Sequence, residues 1–212
     1  MGLREIETYP RLRVGVISTG DELVDDGGAL APGQIRDSNR RTLLSLLSGD
    51  GFEPVDLGLI ADDELAIETA LVQGAQNCDA VVTSGGVSMG DFDYVKAVLD
   101  RIGDMRWMQV AIKPAKPLAF GTIEGTPIFG LPGNPVSSMV SYELFARSGL
   151  RSMMGFPQPV RPVVQAVAAN PLTRRIDGKI HYARVLAKHE DGKTVVYPVS
   201  GQGSHMLASM AR

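Results

Sequence analysis

The chain has 212 residues, a formal net charge of −3, and a hydrophobic share of 44%. This composition is typical of globular proteins and can form one large domain, or a medium and a small one. Charges of both signs are spread along the chain without a basic stripe, so we expect no nucleic-acid binding. The single cysteine cannot form an internal disulfide, and no apolar run approaches the roughly 20 residues that span a bilayer. We therefore expect a cytoplasmic protein without membrane contact.

Strands alternate with helices over the first three quarters of the chain, which predicts a parallel sheet covered on both faces. Predicted strands lie at 12–18, 53–60, 80–83, 107–112, 117–120 and 126–131. Predicted helices begin near Ser38 or Asn39, after Asp62 as a cap, near Asp91, and at Asn134–Pro135. The predicted fold class is therefore α/β, a three-layer α/β/α domain with a mostly parallel sheet.

The pattern changes at a proline-rich joint that runs from Gly155 to Pro162. Beyond it, residues 163–168, 180–188 and 194–198 read as strands, with a hairpin turn at Asp191–Gly192. We thus expect a linker remnant over 1–11, an α/β domain over 12–155, and a small C-terminal β-domain over 156–212.

Two acidic stretches follow predicted strands, at the edge where open parallel sheets bind ligands. The first is STGDEL, which ends at Leu23; a turn or helix-capping segment is an equal alternative. The second, TSGGVSMGDFD, joins a glycine-rich turn to a helix start, where backbone N–H groups can approach an anion. Asp91 and Asp93 would repel a bare phosphate, and a Mg²⁺ ion shared by carboxylate and phosphate removes that conflict. The alternative is that both aspartates cap the helix.

Two further stretches suit anions. KPAKP, residues 113–117, holds two lysines between prolines, although a solvated basic turn is the simpler explanation in isolation. GLPGNP, residues 130–135, leads a strand into a proline-started helix, and a plain strand-to-helix turn explains it equally well. The pattern lacks Walker, GxGxxG, zinc and GxSxG motifs. Taken alone, it predicts a phosphate-and-metal site on an α/β domain.

The ordered set STGDEL, GQIRDSN, LGLIADD, TSGGVSMGDFD, KPAKP and GLPGNPVS resembles the C-terminal half of the molybdopterin molybdotransferases, the family of MoeA and the gephyrin E domain. The resemblance runs from about Val14 to Arg212. It implies an enzyme that joins molybdate to adenylylated molybdopterin, requires Mg²⁺ and releases AMP. It also implies a homodimer in the full-length protein, two N-terminal domains that this chain lacks, and a C-terminal domain that ends early.

The resemblance assigns roles to individual positions. Its acidic positions, implied to be catalytic and to hold metal, fall on Glu22, Asp62 and Asp93. Its pterin-nucleotide positions fall on Thr19, Gly20, Asn39, Ser84, Gly85, Gly86, Gly133, Asn134 and Pro135. Its molybdate positions fall on Ser88, Lys113, Lys116, Pro117, Arg184 and Ser204. Ala115 stands where the family usually has glycine.

Two alternatives remain from the sequence. One is a molybdopterin adenylyltransferase of the MogA/MoaB type, which shares the α/β domain. Such enzymes typically carry a Thr-Gly-Gly-Thr-Gly turn where this chain has Ser84–Gly85–Gly86–Val87–Ser88, and they lack the small β-domain. The other is a non-catalytic scaffold of the same fold, which the retained acidic and lysine positions argue against.

Overall fold

A computed structural model describes residues 2, 4–87, 93–174 and 176–210. The strands of the first part are β1 (Arg13–Thr19), β2 (Leu23–Val24), β3 (Ile35–Arg36), β4 (Glu53–Ile60), β5 (Ala80–Ser84), β6 (Asp104–Gln109), β7 (Ile112–Lys113), β8 (Pro117–Ile123) and β9 (Thr126–Leu131). The helices are α1 (Asn39–Gly49), α2 (Glu64–Asn77), α3 (Tyr94–Ile102), α4 (Pro135–Ser141) and α5 (Arg147–Met153), with a π-helical turn at Tyr142–Ala146 between the last two. None of the described helices is long and apolar enough to cross a bilayer.

Six of these strands form the central sheet, in the order β4-β1-β5-β9-β8-β6. The first four run parallel, while β8 is antiparallel to both of its neighbours. The register aligns Ser18 with Ser84 and Ser84 with Leu131, so the ends of β1, β5 and β9 meet at one edge. The predicted α/β class with a mostly parallel sheet is confirmed.

Alternating side chains of the buried strands supply two separate cores. Val14 and Val16 of β1 pack with Leu43 and Leu47 of α1 on one face. Ile17 lies in the second core, on the other face, with residues of α2 and α3. Each fully buried aliphatic side chain contributes about 1.5–3 kcal/mol relative to exposure. This burial fixes the helix starts relative to the strand ends.

Three expected boundaries were wrong or shifted. Asp63, not Asp62, caps α2, because its Oδ1 accepts the N–H of Ala66 at 2.8 Å. The expected strand over 107–112 is instead β6, which ends at Gln109, followed by the separate β7. The helix expected near Asp91 is α3, capped by Asp93, whereas Asp91 itself lies outside the described residues.

The C-terminal region contains a three-stranded sheet of β10 (Val167–Ala168), β13 (Lys193–Pro198) and β12 (Val185–Glu190). Its turn at Asp191–Gly192, with φ of 47° and 75°, joins β12 to the antiparallel β13, which confirms the expected hairpin. The expected strand over 163–168 is reduced to β10, and that over 180–188 is divided into β11 (Ile180–His181) and β12.

Backbone hydrogen bonds join β11 and the segment around Ser204 to the α/β domain. Strand β11 pairs in parallel with β7, placing His181 beside Lys113. In this ladder the N–H of Ile180 donates to the Ala111 carbonyl at 2.9 Å. At the start of α4, the N–H of Val136 donates to the Ser204 carbonyl, also at 2.9 Å. The small β-domain therefore contacts the sheet edge at which β1, β5 and β9 end.

Candidate functional site

A cleft of about 680 Å³ opens at the carboxyl edge of the central sheet. Its walls come from the ends of β1, β5 and β9 and from the first residues of α1, α3 and α4. All nine residues that the resemblance assigns to the pterin-nucleotide line it: Thr19, Gly20, Asn39, Ser84, Gly85, Gly86, Gly133, Asn134 and Pro135. The structure thus brings together residues from four distant stretches of the chain.

The side chain of Asn39 connects three of these walls. Its amide Nδ2 donates to Ser84 Oγ at 2.8 Å and to the Gly133 carbonyl at 2.7 Å. One side chain at the start of α1 thereby ties the end of β5 to the turn before α4. This bridging fixes the start of α1 relative to the ends of β5 and β9 around the cleft.

The glycine turn after β5 is sterically required. Gly85 and Gly86 have φ of 97° and 67°, in the region that favours glycine. A Cβ at Gly86 would lie only 2.3 Å from Val95 of α3. Close packing of this turn on α3 therefore brings the Asp93 cap beside the end of β5, where both line the cleft.

The three acidic positions, Glu22, Asp62 and Asp93, also line the cleft. The N–H of Asp62 donates to Asp21 Oδ1 at 3.0 Å, and the N–H of Asp21 lies 3.4 Å from Asp62 Oδ2. Partial burial raises the pKa of the Asp62 carboxyl, and the charges of Asp21 and Glu22 add to that rise. Asp93 Oδ1 accepts the Lys96 N–H at 3.1 Å, so it caps α3 as well as facing the cleft.

Within the described ranges, no three His, Cys, Asp or Glu side chains lie close enough together to hold a metal ion by themselves. Mg²⁺ is commonly held by one or two carboxylates together with substrate phosphates and water. Separate carboxylates around a cleft that also presents a glycine turn fit a metal ion shared with a phosphorylated ligand. They do not fit an all-protein metal cage.

The molybdate positions are less closely gathered. Pro117 lines the cleft, whereas Lys113 and Lys116 are exposed and do not. Arg184 donates from Nη2 to the carbonyls of Gly201 at 2.6 Å and Gly203 at 3.2 Å. Ser204 follows Gly203 in the chain, and its carbonyl accepts the Val136 N–H at the start of α4.

No carboxylate lies within ion-pair distance of Arg184 among the described residues, and burial lowers its pKa. Ser88 lies outside the described residues. Ala115, between the two lysines, has φ of 73° and is 3% exposed. This left-handed conformation explains why glycine suits the position.

Several cleft residues had no role assigned from the sequence, among them Asp37, Arg36 and Tyr94. Asp37, buried at the start of α1, accepts Ser18 Oγ at 3.1 Å. Arg36 and Tyr94 also line the cleft, where they supply a cationic and an aromatic side chain. The signal for Asp37 was its place in GQIRDSN, two residues before Asn39, whereas Arg36 and Tyr94 carry no pattern of their own.

Comparison with known proteins agrees with this geometry. Residues 15–152 match a family model described as probable molybdopterin binding domain, and residues 165–212 match the MoeA C-terminal region, domain IV. A molybdopterin molybdenumtransferase from Haemophilus influenzae is 38% identical over 100% of this chain and 53% of its own length. Molybdopterin molybdenumtransferase 2 from Mycobacterium tuberculosis is 39% identical, over 99% and 53%. The chain spans about half the length of these curated relatives.

Solved structures show the same relationship. A molybdopterin biosynthesis MoeA protein from Pyrococcus horikoshii superposes with a TM-score of 0.70 at 26% identity, covering 95% of this chain and 47% of that one. MoaB from Thermus thermophilus shares the fold, with a TM-score of 0.53 at 22% identity, over 69% of this chain and 99% of its own. The chain belongs to the family described as probable molybdopterin binding domain, and its C-terminal part matches the MoeA C-terminal region.

Proposed function

We propose that this chain supplies the site at which molybdate is joined to adenylylated molybdopterin, with release of AMP. The observation that carries the proposal is the convergence of all nine pterin-nucleotide positions and all three acidic positions on one cleft. The names of the curated relatives support the same reaction class. The proposal includes a cytoplasmic location and a homodimer in the full-length protein.

The cleft offers separate surfaces for the parts of such a substrate. The glycine turn at Gly85–Gly86, which carries no side chain, lets a phosphorylated ligand approach the backbone closely. The Asn39 side chain is fixed by its hydrogen bonds to Ser84 and Gly133 and forms part of the cleft wall between the ends of β5 and β9. Glu22, Asp62 and Asp93 would hold Mg²⁺ against the phosphates, where the ion supplies Lewis-acid polarisation of the phosphoanhydride.

The cationic groups suit the second substrate. Lys113 and Lys116 offer two compact positive charges beside Pro117, which lines the cleft. Arg184 and Ser204 come from the small β-domain, which contacts the same edge through β11 and through Val136. We propose that a tetrahedral oxyanion binds where these groups approach the cleft, because it is the ligand that such donors stabilise best.

The test is AMP release from adenylylated molybdopterin as a function of molybdate and Mg²⁺ concentrations, with the substitutions made in a full-length family member. Asp93→Asn keeps a group that can cap α3 but loses the charge that holds the metal. We expect kcat to fall by on the order of 10²-fold, with weaker effects on pterin-nucleotide binding. Lys116→Ala should instead raise the molybdate concentration required for half-maximal AMP release.

Matched substitutions at exposed positions away from the cleft, Glu7→Gln and Lys193→Ala, should leave both quantities unchanged. Unimpaired turnover by Asp93→Asn across a Mg²⁺ titration would show that Asp93 is only a helix cap. ATP-dependent adenylylation of molybdopterin would favour the adenylyltransferase. If the protein catalysed neither reaction, a scaffold role would be favoured.

A further inference from the structure

Arg40 lies buried behind the cleft wall and contacts carboxylates from three parts of the chain. Its side chain is 6% exposed. Its Nε donates to Asp37 Oδ2 at 2.9 Å, its Nη1 contacts Asp56 of β4, and its Nη2 contacts Asp25. A guanidinium presents these donors in a rigid planar fork, so each carboxylate is held in a set direction.

Asp25 belongs to the glycine-rich segment 20–33, which also carries Glu22. Among the described side chains of this segment, Asp25 is the one that reaches helix α1. It contacts both Arg40 and Arg41, the latter at 2.7 Å. The Arg41 hydrogen bond, followed by the charge of Arg40, lowers the pKa of Asp25.

Elsewhere the segment is held by hydrogen bonds of Asp21 with Asp62 and of Asp26 with Arg36, and by a short pairing with β3. It pairs with β3 over only two residues, Leu23 and Val24. The carbonyl of Glu22 accepts the Ile35 N–H at 2.8 Å, and that of Val24 accepts the Asp37 N–H at 3.1 Å. Its glycines lose more backbone entropy on ordering than other residues do, so the Asp25 contacts with α1 add to the hydrogen bonds that hold the segment in place.

We propose that Arg40 is a positioning residue, which acts through Asp25 to hold Glu22 on the cleft wall. The same guanidinium orients Asp37, whose other oxygen accepts Ser18 Oγ at the end of β1. Arg40 touches no substrate in this scheme. The inference rests on the proposed role of Glu22 in holding Mg²⁺, and it extends that role to a buried group behind the site.

The test uses Asp25→Asn as its main substitution, because removing Arg40 would leave three carboxylates without their partner and endanger folding. Asp25→Asn keeps the size of the side chain, and Arg40 keeps Asp37 and Asp56. The matched control is Asp26→Asn, one residue along the same segment. Asp26 is exposed, and it pairs with Arg36 rather than with α1.

Two measurements on the 212-residue chain decide the result. Hydrogen exchange of the amides of residues 21–26 should accelerate on the order of tenfold in Asp25→Asn and stay unchanged in Asp26→Asn. Calorimetric titration with Mg²⁺ in the presence of AMP should show several-fold weaker binding in Asp25→Asn alone. Asp25→Glu should recover part of both effects.

Unchanged exchange in Asp25→Asn, or equal acceleration in both variants, would overturn the anchoring role. Faster exchange with unchanged Mg²⁺ binding would show that the anchor does not serve Glu22. If the wild-type chain itself binds no Mg²⁺, the proposed function fails, whereas the exchange measurement still decides whether Arg40 orders the segment.

Discussion

Gly86 allows strand β5 to turn onto helix α3 at a point where no side chain fits. We predict that Gly86→Ala destabilises the protein by roughly 2–5 kcal/mol, from a left-handed alanine together with overpacking against Val95. Gly133→Ala is the control, since its Cβ would find its nearest neighbour, the Gly85 Cα, at an ordinary 3.7 Å. Thermal unfolding measures the stability of both variants. Equal melting temperatures for the two variants would mean that α3 moves away from the turn at little cost.

At the scale of single residues, sequence pattern located the cleft better than it assigned roles. Asp62 and Asp63 are adjacent and chemically identical, so pattern alone could not decide which of them caps α2. The structure assigns the cap to Asp63, which leaves the Asp62 side chain at the cleft. Asp37 was missed because its importance depends on Ser18, 19 residues away in the chain, as well as on the nearby Arg40.

The α4–α5 helical region contains a buried tyrosine that makes stability sensitive to alkaline pH. Tyr142 donates its hydroxyl to Asp50 Oδ2 at 2.9 Å, and burial raises its pKa far above the usual value, with Asp50 adding to the rise. In the unfolded chain the phenol ionises near pH 10, at about its reference pKa. The contribution of Tyr142 is therefore complete below about pH 10 and is lost as the pH rises further.

We predict that Tyr142→Phe lowers the free energy of unfolding by about 1–2 kcal/mol at neutral pH through the lost hydrogen bond. Above pH 10 the wild type should lose its advantage by up to about 1.4 kcal/mol per pH unit. Urea unfolding followed by Trp107 fluorescence, from pH 7 to 11, gives the difference directly. Parallel stability curves for the two proteins would contradict the prediction.

At the scale of elements, the parallel strands were the most predictable. The observed β4 and β9 match their predicted bounds, although β4 is a partly exposed edge strand and only β9 is buried, over its last four residues. Strand β6 was displaced because its limits depend on pairing with β8, in which Gln109 faces Pro117. The predicted strand over 163–168 was mostly lost because Val163, 95% exposed, has no core to cover it.

The attachment of the small β-domain to the α/β domain can be tested at the scale of the whole molecule. Ile180→Pro removes the N–H that donates to the Ala111 carbonyl, whereas Ile180→Ala shortens a mostly exposed side chain and keeps that bond. If the two contacts form one cooperative interface, Ile180→Pro should accelerate hydrogen exchange at the distant Val136 amide roughly tenfold, for a loss of about 1.4 kcal/mol. Acceleration confined to the β11 segment would show that the contacts are independent.

The sequence pattern predicts two structural regions but carries no signal for their relative placement. Motifs within the α/β domain follow strand ends, so the parallel sheet itself gathers them at one edge. Arg184 and Ser204 follow no such rule. Their positions depend on the two-residue ladder between β7 and β11 and on the Val136 contact, neither of which has a signature in the chain.

That short ladder also limits which insertions and deletions the protein can accept. A strand that slips by one residue turns its side chains to the opposite face, so the smallest shift that preserves facing is two residues, roughly 6.6 Å. Length changes within the 169–179 connection can be absorbed outside the ladder, because none of its described residues belongs to a strand. A single residue inserted between His181 and Arg184 would instead shift the Arg184 guanidinium relative to β7 by up to about 3.3 Å. We therefore expect length to be restricted far more tightly over these few residues than over the longer connection before them.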